Sequence, residues 1–246
     1  MPVHYWTYKM KLPSQISTNL THPAVVGTVH SGPSLAAARR IAPAQCDWLE
    51  LRVDSFYPDV AGLRRAAPKL RCPRIVTVRH VSEGGAHPTL TPGERRRLYL
   101  DFLEVAGLVD IELRRAGEMK QVIREAKAGG IGVILSHHDF RRTPGLAKLR
   151  ELARKAREAG ADIFKVAAMT RSAADLGKLV EFLANEKAGL PLSVMGMGAY
   201  GKASRLVLAQ AGSCLNYGYL GAPNASGQWP ATVLKARIAE LRDAEE

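Results

Sequence analysis

The sequence predicts a (β/α)8 TIM barrel in the α/β class, built as one domain from 246 residues. Three observations carry that expectation. Eight short β-branched or apolar runs alternate with amphipathic segments along the chain, the pattern of parallel strands joined by right-handed crossovers. No linker divides the units, and the length matches the roughly 250 residues of such a barrel. The polar residues suited to chemistry gather at the C-terminal ends of the runs, where these barrels build their active sites.

The expected strands cover 24–29, 48–53, 74–79, 108–113, 132–136, 162–168, 192–197 and 213–219. Amphipathic segments at 34–42, 91–106, 119–128, 146–159 and 172–187 lie between them, and a last helix is expected over 231–244. Thr91-Pro92-Gly93-Glu94 supplies an N-cap, a proline at the first helical position and a glutamate at the third. Gly129-Gly130 and Gly160 follow predicted helices as C-terminal stops. Residues 1–22 precede the first strand and are expected to close the bottom of the barrel.

Apolar residues make up 46% of the chain, enough for a sizeable core and too many for a disordered polymer. No apolar run approaches the ~20 residues of a membrane span, and the N-terminus carries no apolar run of signal-peptide type. These features predict a cytoplasmic protein with no membrane partner. Cys46, Cys72 and Cys214 are odd in number and widely spaced, so they read as reduced thiols; no metal and no cofactor is expected. The net charge of +12 is the compositional oddity. Its basic runs (Arg39-Arg40, Arg64-Arg65, Arg95-Arg96-Arg97, Arg114-Arg115, Arg141-Arg142) are scattered over predicted helices, and aromatics make up only 6%. A nucleic-acid surface concentrates and interleaves such groups. Solvated helix faces are therefore expected, with a field that attracts small anions.

Along the second run Glu50, Arg52 and Asp54 recur every second residue and so share a face. With Leu51 and Val53 packed outward, the charged set points into the barrel mouth, since a parallel barrel strand has no solvated face. The third run ends at Arg79-His80 and leads to Glu83-Gly84-Gly85. Arg79 is a candidate for an anion or a hydroxyl, Glu83 is placed to reach the mouth, and the glycines imply a tight or mobile loop. Asp110 and Glu112 again share a face; they orient a lysine amine or balance Arg52 or Arg79, and charge balance is the safer reading. His137 and His138 point opposite ways, so one of them faces the mouth.

Lys165 interrupts the apolar run Ile163-Phe164-Lys165-Val166-Ala167. Burial disfavours a charged amine, and a free amine is what imine formation with a ketone needs. A histidine at the end of the neighbouring run is suited to move the protons. A lysine that snorkels to water is the ordinary alternative. After the seventh run, glycines at 196, 198 and 201 allow close backbone approach, and Arg205 near a helix start suits a carboxylate or phosphate. The polar, glycine-containing stretch 221–230 is a candidate lid.

Taken together these residues resemble type I 3-dehydroquinate dehydratase, from the first strand to Gly227-Gln228. The resemblance rests on Glu50-Leu-Arg52-Val-Asp54, Thr77-x-Arg79-x-x-x-Glu83-Gly-Gly, His138-Asp139-Phe140, Lys165-Val-Ala, Met195-Gly-Met197-Gly-x-x-Gly-x-x-Ser204-Arg205 and Gly227-Gln228. It implies that Lys165 forms an imine with the C3 ketone of 3-dehydroquinate. His138 then removes the C2 proton and protonates the departing C1 hydroxyl in a syn elimination, a step of the shikimate pathway. Glu83 would orient His138, Arg205 would hold the substrate carboxylate, and Glu50, Arg52 and Arg79 would bind the substrate. Gln228 would close the lid, and Thr28 stands where the family often has a hydroxyl. The family's usual lid, Ser-x-Pro-Gly-Gln, is here Asn224-Ala-Ser-Gly-Gln228. Asn224 keeps its hydrogen bonds, and the missing proline loosens the open lid. A homodimer is implied by the resemblance alone. A class I Schiff-base aldolase is the alternative enzyme, and a non-enzymatic basic binder the alternative outside enzymes.

Overall fold

The computed structural model describes residues 23–186 and 189–243. The expected closure of the barrel by 1–22, and the predicted helix ends at Lys187 and Ala244, lie outside the described residues. Eight parallel strands run in the order β7-β6-β5-β4-β3-β2-β1-β8. They are β1 (Ala24–Val29), β2 (Trp48–Arg52), β3 (Arg74–Thr77), β4 (Leu108–Glu112), β5 (Gly132–Asp139), β6 (Ile163–Met169), β7 (Leu192–Met197) and β8 (Leu215–Tyr219). A helix follows each: α1 (Gly32–Ala38), α2 (Ala61–Ala66), α3 (Pro92–Phe102), α4 (Lys120–Ala128), α5 (Leu146–Glu158), α6 (Ala173–Asn185), α7 (Gly201–Gln210) and α8 (Ala231–Asp243). This is the predicted α/β barrel. The sequence reading drew neither α2, whose six residues are too few to show a helical period, nor α7, which begins inside a glycine-rich stretch.

Side chains alternate along each strand, and the two faces differ. Outward residues such as Leu49, Leu51, Val76, Ile111, Leu135 and Val166 pack beneath the helices. Inward residues Val26, Trp48, Ile75, Leu108, Ile134, Ile163 and Leu215 fill the lower barrel as a separate apolar cluster. Two residues further along, the inner face turns polar: Thr28, Glu50, Thr77, Asp110, Ser136 and Lys165, all buried. An apolar floor thus carries a polar layer, and the strand ends open above it. The helix start at Thr91 is the expected capping box, Thr91 N–H donating to Glu94 Oε2 (2.8 Å) and Glu94 N–H to Thr91 Oγ1 (3.2 Å).

Several boundaries differ from expectation. β2 stops at Arg52, and Asp54 sits in a 3₁₀ turn (Val53–Ser55) rather than on the strand face. Its buried carboxylate accepts from Arg52 Nε and Nη2 (3.0 and 2.8 Å) and from the backbone N–H groups of Arg79 and Ala86 (both 3.0 Å). Asp54 is therefore a bracket for the loop after β3, which explains why β3 ends at Thr77 with Arg79 beyond it. Asp54→Ala leaves two backbone donors and a guanidinium unmatched; we expect a loss of about 2–4 kcal/mol, read as a lower midpoint in urea unfolding. β5 runs three residues past Ser136, paired with β6 as far as Asp139↔Ala168.

The backbone ladder does not close between β7 and β8. There Cys214 N–H donates to Leu192 O (2.8 Å), and serine side chains continue the seam. Ser193 Oγ donates to Leu215 O (2.8 Å), and Ser213 Oγ accepts from Val194 N–H (2.9 Å). The basic runs are not uniformly solvated either. Arg95 of α3 is fully buried, donating to Val78 O and pairing with Glu112. Among the described residues no helix is long and apolar enough to cross a membrane.

Candidate active site

The strand ends surround a cleft of ≈ 600 Å³, open space at its mouth included, and all ten predicted site residues line it: Thr28, Glu50, Arg52, Arg79, Glu83, His138, Lys165, Arg205, Asn224 and Gln228. They come from seven of the eight strands or the loops that follow them.

Lys165 faces inward between Ile163 and Ala167, and its register partner on β5 is Ser136. The lysine is buried, as expected, and its amine has acidic partners. Nζ donates to Asp110 Oδ2 at 2.8 Å, lies 3.6 Å from Glu50 Oε1, and sits 3.7 Å from the centroid of the Tyr217 ring. Asp110 also meets Arg79 Nη2 at 2.8 Å, while Arg79 Nη1 donates to Ser136 Oγ (2.7 Å) and stands 3.6 Å from Glu112. Burial works against ionised Asp110, but Arg79 and Lys165 outweigh it and hold the carboxyl well below the usual range. Glu50 is steered by Thr77 Oγ1 (3.0 Å) and Thr28 Oγ1 (3.4 Å). Of the two readings of Asp110, the structure supports both: it touches the lysine amine and balances Arg79. Arg52 pairs with Asp54 instead.

Two residues past Ser136 on the same face of β5, His138 enters the cleft; His137 points the other way and does not line it. The 3₁₀ turn Val81–Glu83 brings Glu83 beneath it. Glu83 Oε2 accepts from the His138 backbone N–H (3.0 Å) and lies 2.9 Å from Nδ1. Gly84 and Gly85 make this turn tight: Gly84 has φ +85°, and a Cβ on Gly85 would stand 2.2 Å from Arg79 O. Burial pushes Glu83 up to about 7, against the pull of Arg79 and of Arg114, whose Nε lies 2.8 Å from Oε1. Burial, then Arg79 and Lys165, drives His138 well below an ordinary histidine. The ring is neutral at neutral pH, and an ionised Glu83 holds the proton on Nδ1 and leaves Nε2 as the free base.

Arg205 is the exception to the charge balance. It is 1% exposed, and no carboxylate lies within ion-pair distance among the described residues. Backbone carbonyls hold it: Nε donates to Tyr217 O (2.8 Å), and Nη1 donates to Gly196 O, Gly201 O and Gly227 O (3.0, 2.8 and 2.7 Å). Burial pushes it down to about 10. Elsewhere in the layer Glu50, Asp110 and Glu112 face Arg79, Arg95 and Lys165, so the cleft carries one unmatched positive charge and suits one carboxylate. Among the described residues no group of three or more His, Cys, Asp or Glu is arranged to hold a metal ion.

The loop 221–230 folds against α7 by backbone contact. Gly227 has φ +73° and lies so close to Gly201 that a Cβ would overlap it at 2.7 Å. Gln228 turns inward, its Oε1 accepting from the N–H groups of Asn224 and Ala225 (3.1 and 3.2 Å), so it braces the very loop whose proline is missing. The sequence reading passed over Tyr217, whose signal was its place two residues after Leu215 on the inner face of β8. It also placed Arg114 among solvated charges.

The profile of the type I 3-dehydroquinase family matches residues 26–242. A 3-dehydroquinate dehydratase of Methanothermobacter thermautotrophicus is 35% identical over 207 residues, covering 83% of this chain and 90% of its own. The crystal structure of 3-dehydroquinate dehydratase from Geobacillus kaustophilus superposes with a TM-score of 0.81 at 29% identity, over 92% of this chain and 93% of that one. Type I 3-dehydroquinate dehydratase from Clostridium difficile, solved with covalently modified comenic acid, also gives 0.81, at 25% identity and over 91% and 93%. The seven strands' worth of polar side chains converging on one lysine thus sit in a chain that belongs to the type I 3-dehydroquinase family.

Proposed function

We propose that the chain is a hydro-lyase of the shikimate pathway, converting 3-dehydroquinate to 3-dehydroshikimate by syn elimination through a Lys165 imine. One observation carries the reading: the Lys165 amine and the Glu83-held His138 open into the same cleft. Lys165 passes a proton to His138, its amine attacks the C3 ketone, and His138 returns the proton to the carbinolamine hydroxyl, so that water leaves and a cationic iminium remains. That cation withdraws electrons from C2, and His138 Nε2 accepts the C2 proton to give an enamine. The enamine pair returns to expel the C1 hydroxyl, to which His138 delivers its proton, so water leaves. Water then hydrolyses the product iminium and restores the amine. Arg205 supplies the unmatched charge for the C1 carboxylate, Glu50, Arg52, Arg79 and Thr28 bind hydroxyls, and Asn224 and Gln228 close the lid against solvent.

The aldolase alternative lacks a comparable observation: a Glu-anchored histidine beside the lysine and one buried arginine without a carboxylate partner among the described residues suit a proton shuttle and one carboxylate. The decisive assay follows the ultraviolet absorbance of the conjugated enoate after addition of 3-dehydroquinate. No gain with folded protein removes the dehydratase reading.

A pH dependence follows from Glu83. Its carboxyl, raised to about 7, protonates as the pH falls through that value and stops accepting from His138 Nδ1–H. We expect kcat/KM to fall about tenfold per unit on the acid side. Arg114 favours the ionised form, so Arg114→Ala moves this limb to higher pH, by a few tenths of a unit because Arg114 is half-exposed. A limb that stays in place or moves to lower pH contradicts the assignment.

A further inference from the structure

Tyr217 has no part in the proposed chemistry, yet it touches the reacting nitrogen. Lys165 Nζ rests 3.7 Å from the centre of its ring. The residue is 3% exposed, lines the cleft, and its phenol oxygen makes no hydrogen bond among the described residues. A buried hydroxyl without a partner is costly and calls for an explanation. Phenylalanine would fill the same space on the inner face of β8 without that cost. Burial, with Glu50 and Asp110 nearby, drives the phenol well above an ordinary tyrosine, so the group remains a neutral donor.

We propose that Tyr217 is a further catalytic residue, its ring face seating the positive charge on Nζ and its hydroxyl donating to an oxygen of the bound substrate. The proposal rests on the imine reading of Lys165. The negative face of an aromatic ring attracts a cation held over it. Nitrogen is charged in the iminium and neutral in the carbinolamine before it and in the enamine after it, so the ring favours the iminium over both. The hydroxyl oxygen is itself closed to water, so it meets its acceptor only when a ligand rich in hydroxyl and carboxylate oxygens enters the cleft and displaces the groups that cover it.

Steady-state kinetics with 3-dehydroquinate, combined with borohydride trapping on Lys165, test both parts in wild type, Tyr217→Phe and Tyr217→Leu. Tyr217→Phe keeps the ring and loses one hydrogen bond. KM should rise about 3- to 10-fold, with kcat and adduct yield at saturation unchanged. Tyr217→Leu should add a further drop of about 10-fold in kcat and in trapped adduct. Fluorinated phenylalanines at position 217 drain the ring face at nearly constant shape, so kcat should fall with each fluorine even if the leucine variant does not fold. An unchanged KM in Tyr217→Phe overturns the hydroxyl's part. A leucine variant equal to phenylalanine, or a series flat in fluorine number, overturns the ring's part. A purely structural role would lower melting temperature and leave both kinetic constants per trapped site unchanged. If wild type neither turns over nor traps, the imine reading falls and this proposal with it; if wild type does both, the variants alone decide.

Discussion

Lys165→Ala should abolish dehydration of 3-dehydroquinate, by about 10⁴-fold or more, and remove the borohydride adduct that wild type carries at that position. The magnitude follows from losing a covalent path rather than a single contact: without the amine there is no iminium to acidify C2–H, and His138 faces a ketone too weak an acid for it. Misfolding does not account for such a loss. Asp110 keeps Arg79 at 2.8 Å and accepts from Ser136 Oγ at 2.6 Å after the lysine is gone, so the carboxylate is not stranded. Peptide mass mapping after borohydride reduction checks the position directly, and an adduct on another lysine refutes it.

Arg205→Met should raise KM for 3-dehydroquinate by about 100-fold, the scale of truncating one side of a buried, hydrogen-bonded charge pair. Its effect on stability is separate. Four carbonyls from β7, the start of α7, β8 and the lid lose their shared donor, at a cost of about 2–4 kcal/mol. Arg205→Lys keeps the charge but not the fork, so it should recover part of the KM and little of the stability. The two roles separate with a substrate whose carboxylate is replaced by an amide. Wild type should lose as much on that compound as Arg205→Met does on the acid, and the variant should lose little more. Equal KM values for wild type and variant on the acid would remove the clamp from the mechanism.

The fold was legible because the strands carry two messages at once. Runs buried on both faces read as continuous apolar sequence, and the exceptions (Glu50, Asp110, Lys165) fall at a two-residue spacing on the inward side. Arg79 lay outside a strand because Asp54, not a neighbouring strand, receives its N–H, and a side-chain acceptor that substitutes for a ladder leaves no periodic trace. Arg95 and Arg114 were misread as solvated for a related reason: a helix period says which face is apolar, not which long cation reaches back to a buried acid. Tyr217 looked like one more aromatic in a strand. Only the third dimension puts a lysine over its ring, and the imbalance that singles out Arg205 needs every neighbouring charge to be placed first.

The seam between β7 and β8, held by one backbone bond and serine side chains, gives the cylinder a preferred line of splitting. Amide protons along it should exchange with solvent through a smaller opening than those of the fully laddered strands. Arg205 straddles that line near the mouth, gripping Gly196 O on one side and Tyr217 O on the other. A carboxylate bound to its guanidinium would act as a rivet at the softest joint of the molecule. Occupancy should then be felt far down the wall, since a ligand that binds only the closed barrel lowers the population of every opening it forbids.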